Sequence, residues 1–437
     1  MEALLRRFWW LAALLLCGLT VFLGFFVRQD AFRPLLFGYS AFFILYLWII
    51  QSVEDTKGIR IWLGISVFLR VLLLFAFPLL SDDVFRFLWD GHLVCSGENP
   101  YSRTPAEWLW AEDKPEGLTL ALYDQLNSRN YATVYPPVAQ LTFAFAVWIG
   151  GDSWFLGAFV LKLIVFSFEL LTLHLLPQML ETAGAPRKNV LMYALNPLVI
   201  LEGTGNLHYE IVLVALLLLA ISHWYRNQQI RAAVCMSAAI ATKLIPLIFL
   251  PFWLRLARSK ELLLFYGIVG TGTVFLLSPI FTDLTGEKPL HSLLLFFQNF
   301  EFNAGIFNLF KWIGIWTTGY NPIQRIGPLL AFHILVGILI GAWVQRDLTM
   351  SGLFRNMMFA LTLYLALSTT VHPWYLIPLL AFSTFTPFYY PLVWTGMAVL
   401  SYTHYMEIPF QSHYEWLTLE YLVVFIVLSF ELWRFKG

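Results

Sequence analysis

Apolar runs long enough to span a bilayer recur from Phe8 to Glu431, separated by short polar turns. No stretch between them reads as a separate soluble domain. Near the N-terminus, runs at roughly 8–27, 34–50 and 61–80 predict three crossings. The first follows the basic start Met1-Glu-Ala-Leu-Leu-Arg-Arg and has no small-residue cleavage site, which predicts a retained anchor rather than a secretory leader. Segments near 190–204 and 211–225 are expected to flank an outer turn at Asn206-Leu-His208-Tyr-Glu210. Two other runs are poor straight crossings. The run 136–150 opens with Tyr135-Pro136-Pro137 and closes with Gly150-Gly151, and 232–252 is broken by Thr242-Lys243-Leu244-Ile245-Pro246. Both are expected to enter and return on one side, because backbone freed at a break must be buried in protein or line a wet cavity. The pattern predicts an all-α, polytopic membrane protein with roughly 11–13 transmembrane or half-crossing helices. It reads as one integral membrane domain over 1–437, with a long polar loop at 81–135 that carries amphipathic pieces such as Trp108-Leu109-Trp110.

Composition agrees with that pattern. The 437 residues are 59% hydrophobic and only 12% charged, with 18% aromatic side chains and mean hydropathy +0.70; soluble domains carry about 25% charged residues. With a formal net charge of zero, the placement of Lys and Arg is more informative than their number. Arg6 and Arg7 put the N-terminus inside, so the connection at 81–135 emerges outside. Arg187-Lys188, Arg226 with Arg231, Arg255-Arg258-Lys260, Arg346 and Arg434 with Lys436 also favour the inner side. Cys17, Cys95 and Cys235 are odd in number and scattered, giving neither a disulfide framework nor a zinc cluster.

Chemistry concentrates at the outer ends of the runs. Asp82 and Asp83 follow about twenty apolar residues that end in Phe77-Pro78-Leu79-Leu80. Adjacent carboxylates at the edge of the hydrocarbon meet water and a lipid-borne substrate together, and their repulsion readies one of them as a base. The plainer reading is a helix cap with Arg86 and Asp90 as solvated neighbours. Asn206, His208 and Glu210, at i, i+2 and i+4, do not share one helical face and fit a turn leading into a helix. His372 and Tyr375 lie in His372-Pro373-Trp374-Tyr375, which reads as an interfacial belt or as a donor to a phosphate or sugar hydroxyl. Lys243, an ammonium inside an apolar run, is a functional candidate, or else snorkels to the inner surface. Glu169 and His174 carry no assigned chemistry. No Gly-rich nucleotide loop, Walker motif or nucleophile elbow is present. An activated substrate would therefore arrive within the membrane, which points to a polyprenyl-phosphate carrier. No nucleic-acid partner is expected.

In order along the chain, Asp82-Asp83, Trp89-Asp90-Gly91, Gly97-Glu98-Asn99-Pro100-Tyr101 and Val134-Tyr135-Pro136-Pro137 resemble the first large outer loop of GT-C glycosyltransferases. The likeness is nearest to bacterial polyprenol-phosphate-mannose-type mannosyltransferases and to the enzyme that adds the first mannose to glycosylphosphatidylinositol. It continues through Asn196-Pro197-Leu198, Gly205-Asn206-Leu207-His208, Lys243-Leu244-Ile245-Pro246, Phe302-Asn303-Ala304-Gly305-Ile306 and His372-Pro373-Trp374-Tyr375. The glycosylphosphatidylinositol enzyme carries Asp-x-Asp, whereas here the carboxylates are adjacent and position 84 is Val; spacing back from Asp90 favours Asp82 as the matching carboxylate. The resemblance implies inverting transfer of a sugar, mannose first, from a polyprenyl-phosphate donor to a lipid or glycan acceptor. It places the site on the outer face of a bacterial inner membrane. On that reading Asp82 or Asp83 takes the acceptor proton, Lys243, Arg86 and His372 serve the leaving phosphate, and Asp90, His208, Glu210 and Tyr375 shape the substrate site. No metal or cofactor is obligatory, a divalent cation beside the paired carboxylates being the one candidate. The alternative of another class is a transporter or flippase of a lipid-linked sugar, with broken helices forming its path.

Overall fold

The computed structural model describes residues 8–256, 259–281, 294, 299–407 and 411–436. Arg6, Arg7 and Arg258, three of the basic residues that favour the inner side, lie outside them. Helices account for nearly all of the regular structure; among the described residues the one sheet-like feature is an isolated bridge between Phe302 and Thr370.

Three helices open the chain, α1 (Trp9–Phe25), α2 (Phe32–Ser52) and α3 (Thr56–Leu74); their bounds lie close to those of the three expected crossings, and of the three α2 is long and apolar enough to count as a span. Asp55 starts α3 by accepting the Gly58 amide at 3.1 Å. Next come α4 (Asp83–Cys95), two five-residue helices, α5 (Pro105–Leu109) and α6 (Leu120–Asp124), then α7 (Pro137–Gly150) and α8 (Trp154–Thr182). The 14 residues of α7 extend about 21 Å, short of the roughly 30 Å hydrocarbon layer.

The stretch 190–204 departs from the expected single crossing. A short helix, α9 (Val190–Ala194), stops before Pro197, which cannot donate into a continuing helix. Asn196 turns the chain there, its Oδ1 accepting the Leu198 amide at 2.9 Å. A widened π-helical turn then runs over Val199–Gly205. It meets α10 (Glu210–Tyr225) at 101°, the geometry of a broken span or a re-entrant loop rather than of two straight crossings. An apolar run in sequence does not show that its axis turns.

The second expected break is present at its expected place. α11 (Gln229–Thr242) stops at Lys243, whose φ of −158° and ψ of 134° are extended, and a 3₁₀ segment follows over Ile245–Arg255. The chain continues through α12 (Ser259–Leu277), α13 (Ile306–Thr318), α14 (Ile323–Val344) and α15 (Met350–Leu367). It ends with α16 (Leu376–Ser383), α17 (Tyr390–Met397) and α18 (Tyr414–Lys436). Six helices among the described residues are long and apolar enough to cross a membrane, seven if the bent pair counts as one span. The chain is an integral membrane protein. Its outer helices turn large apolar groups away from the protein, including Phe275 on α12, Trp343 on α14 and Phe425 on α18.

The centre of the bundle is the broken span, where Val190–Val214 is almost wholly buried. Buried charges fix its neighbours. Arg70 of α3 and Glu169 of α8 are fully buried and 2.6 Å apart, with Arg70 also bonding the Ala194 carbonyl at 2.8 Å. Lys162 of α8 donates to the carbonyls of Leu73 and Ala76 at 2.8 and 2.6 Å. The Leu73 carbonyl also accepts the Ala76 amide at 3.2 Å, so the lysine ties α8 to the turn that ends α3. His174 only bonds Gln178, four residues on.

Candidate functional site

The segment that delivers the two carboxylates is held at both ends. Asn206, in the break of the central span, accepts the amides of Leu79 and Leu80 at 3.1 and 3.0 Å. Gln29, in the turn between α1 and α2, donates its backbone amide to the Leu79 carbonyl at 3.0 Å and its side chain to Asp82 Oδ2 at 2.7 Å. Asp82 stands at the N-cap position of α4, yet its side chain caps nothing. The plain capping reading therefore does not describe it, and Asp82 faces a neighbour instead.

Asp83 begins α4 and is gripped on both oxygens, by Asn127 at 3.3 Å and by the Tyr135 hydroxyl at 3.0 Å. The helix is 13 residues long and is not among the spans. Protein packed around Asp83 pushes its carboxyl above the usual range for an aspartate; the bonds from Tyr135 and Asn127 and the charge of Lys243 pull it back, and Asp82 pushes it up again.

Lys243 is placed by the break in α11. Extended backbone there turns its ammonium onto Glu210, the first residue of α10, and over the Tyr375 ring at 4.7 Å from the centroid. Snorkelling to a surface is not what this lysine does, since both its partners lie inside the bundle. The 3₁₀ turn Pro373–Tyr375 provides the opposite wall. Its Trp374 ring lies between two histidines, with centroids 3.6 Å from His208 and 4.5 Å from His372, all nearly parallel. Phe302 extends the stack beyond His372 at 4.4 Å, and the bridge between Phe302 and Thr370 places it there. Buried and already stacked on two histidines, this tryptophan is closed to stacking on a sugar.

Asp82, Asp83, Lys243, His372 and Tyr375 keep partial solvent access, whereas His208 and Glu210 are buried behind them. His208 lies 3.2 Å from the buried Glu202, which also accepts the Tyr402 hydroxyl. His208 and Glu210 thus diverge to different partners, as their spacing predicts. Tyr209, between them, packs on Phe87 and Phe143 at 5.8 and 5.4 Å, joining the central break to α4 and α7. Four polar atoms in this cluster, Glu202 Oε2, His208 Nε2, Glu210 Oε2 and His372 Nδ1, are buried without a hydrogen-bond partner among the described residues, an arrangement that calls for an explanation in function rather than in stability.

Arg86 and Asp90 stand apart from this group. Buried and 2.8 Å from each other, they face the loop that follows α6 rather than Lys243. Glu202 is not among the residues that the sequence singles out, and Tyr135 stands there only as part of a motif. A lone carboxylate inside the apolar run Val199–Gly205 was the available signal for Glu202. Among the described residues no three His, Cys, Asp or Glu side chains are grouped to hold a metal ion.

An all-helical membrane bundle with a carboxylate pair at the head of an amphipathic helix, facing a lysine set in a helix break, has the architecture of a GT-C glycosyltransferase. The chain belongs to the family described as alpha-(1->6)-mannopyranosyltransferase, N-terminal domain, which residues 20–258 match. It is also similar to alpha-(1->6)-mannopyranosyltransferase A of Mycobacterium tuberculosis, at 27% identity over 196 residues. That match takes in 43% of this chain and 36% of the relative, so it spans about a third of the relative's length. The family match includes both carboxylates, Glu202, His208, Glu210 and Lys243, and ends before His372 and Tyr375.

Proposed function

We propose that this protein transfers a mannosyl residue from a polyprenyl-phosphate carrier to a hydroxyl of a glycan or lipid acceptor, with inversion. The reaction takes place at the outer face of a bacterial inner membrane. The observation that carries this reading is the approach of a carboxylate and a cation from separate elements: Asp83 at the start of α4 and Lys243 in the break after α11, close enough for the lysine charge to act on the aspartate. Membership of a mannopyranosyltransferase family supports mannose as the sugar.

In this mechanism the acceptor hydroxyl attacks the anomeric carbon as Asp83 takes its proton, and the bond to the carrier phosphate oxygen breaks. Asp83 suits the role because its protein surroundings raise its proton affinity while Tyr135 and Asn127 fix its direction. Lys243, with His372 beside it, faces the negative charge that develops on the leaving phosphate. The buried Glu210 keeps the ammonium in place before the donor arrives. Inversion with an α-(1->6) product requires the donor mannose to be β-linked to its phosphate. Asp82 is the second reading for the base, favoured by an oxygen that Gln29 leaves free.

Purified protein supplied with a panel of polyprenyl-phosphate sugars and membrane lipid extract tests this. Transfer from the mannosyl donor, lost in Asp83→Asn and retained in Asp82→Asn, supports the assignment. The reverse pattern moves the base to Asp82. Absence of transfer from every donor by folded, lipid-binding protein would favour transport of a lipid-linked sugar.

A further inference from the structure

Asp83 and Asp90 stand seven residues apart on α4, which puts them two turns apart on one face. Both grip the same stretch of chain. Asn127 and Tyr135, the donors to Asp83, are the two ends of the segment 127–135. Asp90 holds that segment from inside through two intermediaries. Its Oδ1 accepts Arg86 Nε at 2.8 Å, and a terminal nitrogen of the same guanidinium donates to the Ser128 carbonyl and hydroxyl, each at 3.2 Å, and to the Tyr131 carbonyl at 3.0 Å. Its Oδ2 accepts Gln140 Nε2 at 2.9 Å, and that amide also reaches the Thr133 hydroxyl at 3.1 Å and the Tyr135 carbonyl at 3.3 Å. Arg86, Asp90 and Gln140 are 4%, 0% and 3% exposed, so the network is closed to substrate.

We infer that Asp90, acting through Arg86 and Gln140, is a positioning residue that sets the hydrogen bonds, and with them the proton affinity, of Asp83. Its consequence for turnover rests on the reading of Asp83 as the base; the geometric claim does not. A carboxylate that loses donors to its charged form binds its proton more tightly. The other groups acting on Asp83 are Asp82 beside it, Lys243 from the helix break, Glu202 and Glu210 from the central span, and Tyr375 and Tyr405 from the opposite wall. None of them bonds Arg86, Asp90 or Gln140 directly.

The test reads protonation of Asp83 without reading activity. Dicyclohexylcarbodiimide modifies protonated carboxyl groups, so its pH-dependent attachment to full-length protein in nanodiscs, located by fragment mass spectrometry, gives a midpoint for Asp83. Asp83→Asn supplies the blank. Asp90→Asn and Gln140→Met are each expected to move the midpoint to higher pH, as is Tyr135→Phe. Gln140→Met is expected to add little once Tyr135→Phe is present, because both act through one donor. Should Asp90→Asn fail to fold, Gln140→Met decides the matter, since it leaves the pairing of Arg86 with Asp90 intact. A wild-type midpoint in a folded Gln140→Met protein, alongside a shifted one in Tyr135→Phe, overturns the inference. Shifted midpoints with full transfer by Asp83→Asn would keep the inference and remove Asp83 as the base.

Discussion

Lys243 and Glu210 meet across two interruptions, one where α11 ends and the other where α10 begins. Each break frees backbone from helical geometry, and the ion pair occupies the resulting junction. Replacing Lys243 by Met should lower kcat/KM for mannosyl transfer by about 10²–10³, the scale of losing one stabiliser of a developing negative charge. If the lysine serves only to neutralise Glu210, adding Glu210→Gln restores activity. If it serves the leaving phosphate, the double variant stays as slow as the single one, and that is the expected result in steady-state assays.

Activity should fall on the acid side at a higher pH than an ordinary aspartate would give. The surroundings of Asp83 raise its affinity for a proton, and a protonated base cannot accept another. The acid limb of the kcat/KM profile, which reports the free enzyme, therefore lies above the usual carboxylate range. Tyr135→Phe, which removes a donor to the charged form, should move the limb further up. An acid limb at the value of a free aspartate, unchanged in Tyr135→Phe, would contradict the assignment.

Glu169→Ala should destabilise the protein by about 3–5 kcal/mol, because it leaves the fully buried Arg70 without its partner. Replacing both residues by Met should recover much of that loss, since an apolar pair of similar volume often substitutes for a buried ion pair. Thermal unfolding of the detergent-solubilised variants distinguishes the two cases.

Trp374→Ala removes the ring shared by His208 and His372 and should cost about 3–5 kcal/mol of stability. Trp374→Phe keeps an aromatic spacer and should retain most of the fold. If the stack orients His372 toward the donor, Trp374→Phe will raise KM for the carrier-linked sugar more than it lowers kcat.

The candidate residues stood out in the sequence largely because polar side chains are scarce in this chain. Asp82, Asp83, His208, Glu210, Lys243, His372 and Tyr375 each interrupt apolar surroundings, and the structure brings them to one junction. The lysine break was legible for the same reason, with a charge and Pro246 together in one run. Arg86 and Asp90 show where that reasoning weakens. Their spacing of four residues was visible, but which carbonyl groups would absorb the guanidinium depended on how the loop 127–135 folds back. The bend between Val199–Gly205 and α10 falls where the polar residues 206–210 predict a turn; the stop of α9 ahead of Pro197 was hidden because apolar residues line both sides of it. Glu202 was missed inside that same run, where hydropathy averages conceal a single carboxylate.

Lys162 ties the end of α3 to α8. Its ammonium bonds the Leu73 carbonyl near the end of that helix and the Ala76 carbonyl just past it, and the carboxylate pair follows only a few residues later. The depth of Asp82 and Asp83 along the membrane normal is consequently a property of two helices in register, like a bolt passed through both. An insertion of one residue in α8 ahead of Lys162 would shift its ammonium by about 1.5 Å and turn it by about 100°, drawing it away from both carbonyls. Between Arg70 and the carboxylates on one side, and Lys162 and Glu169 on the other, residue count therefore matters to the site as much as residue type.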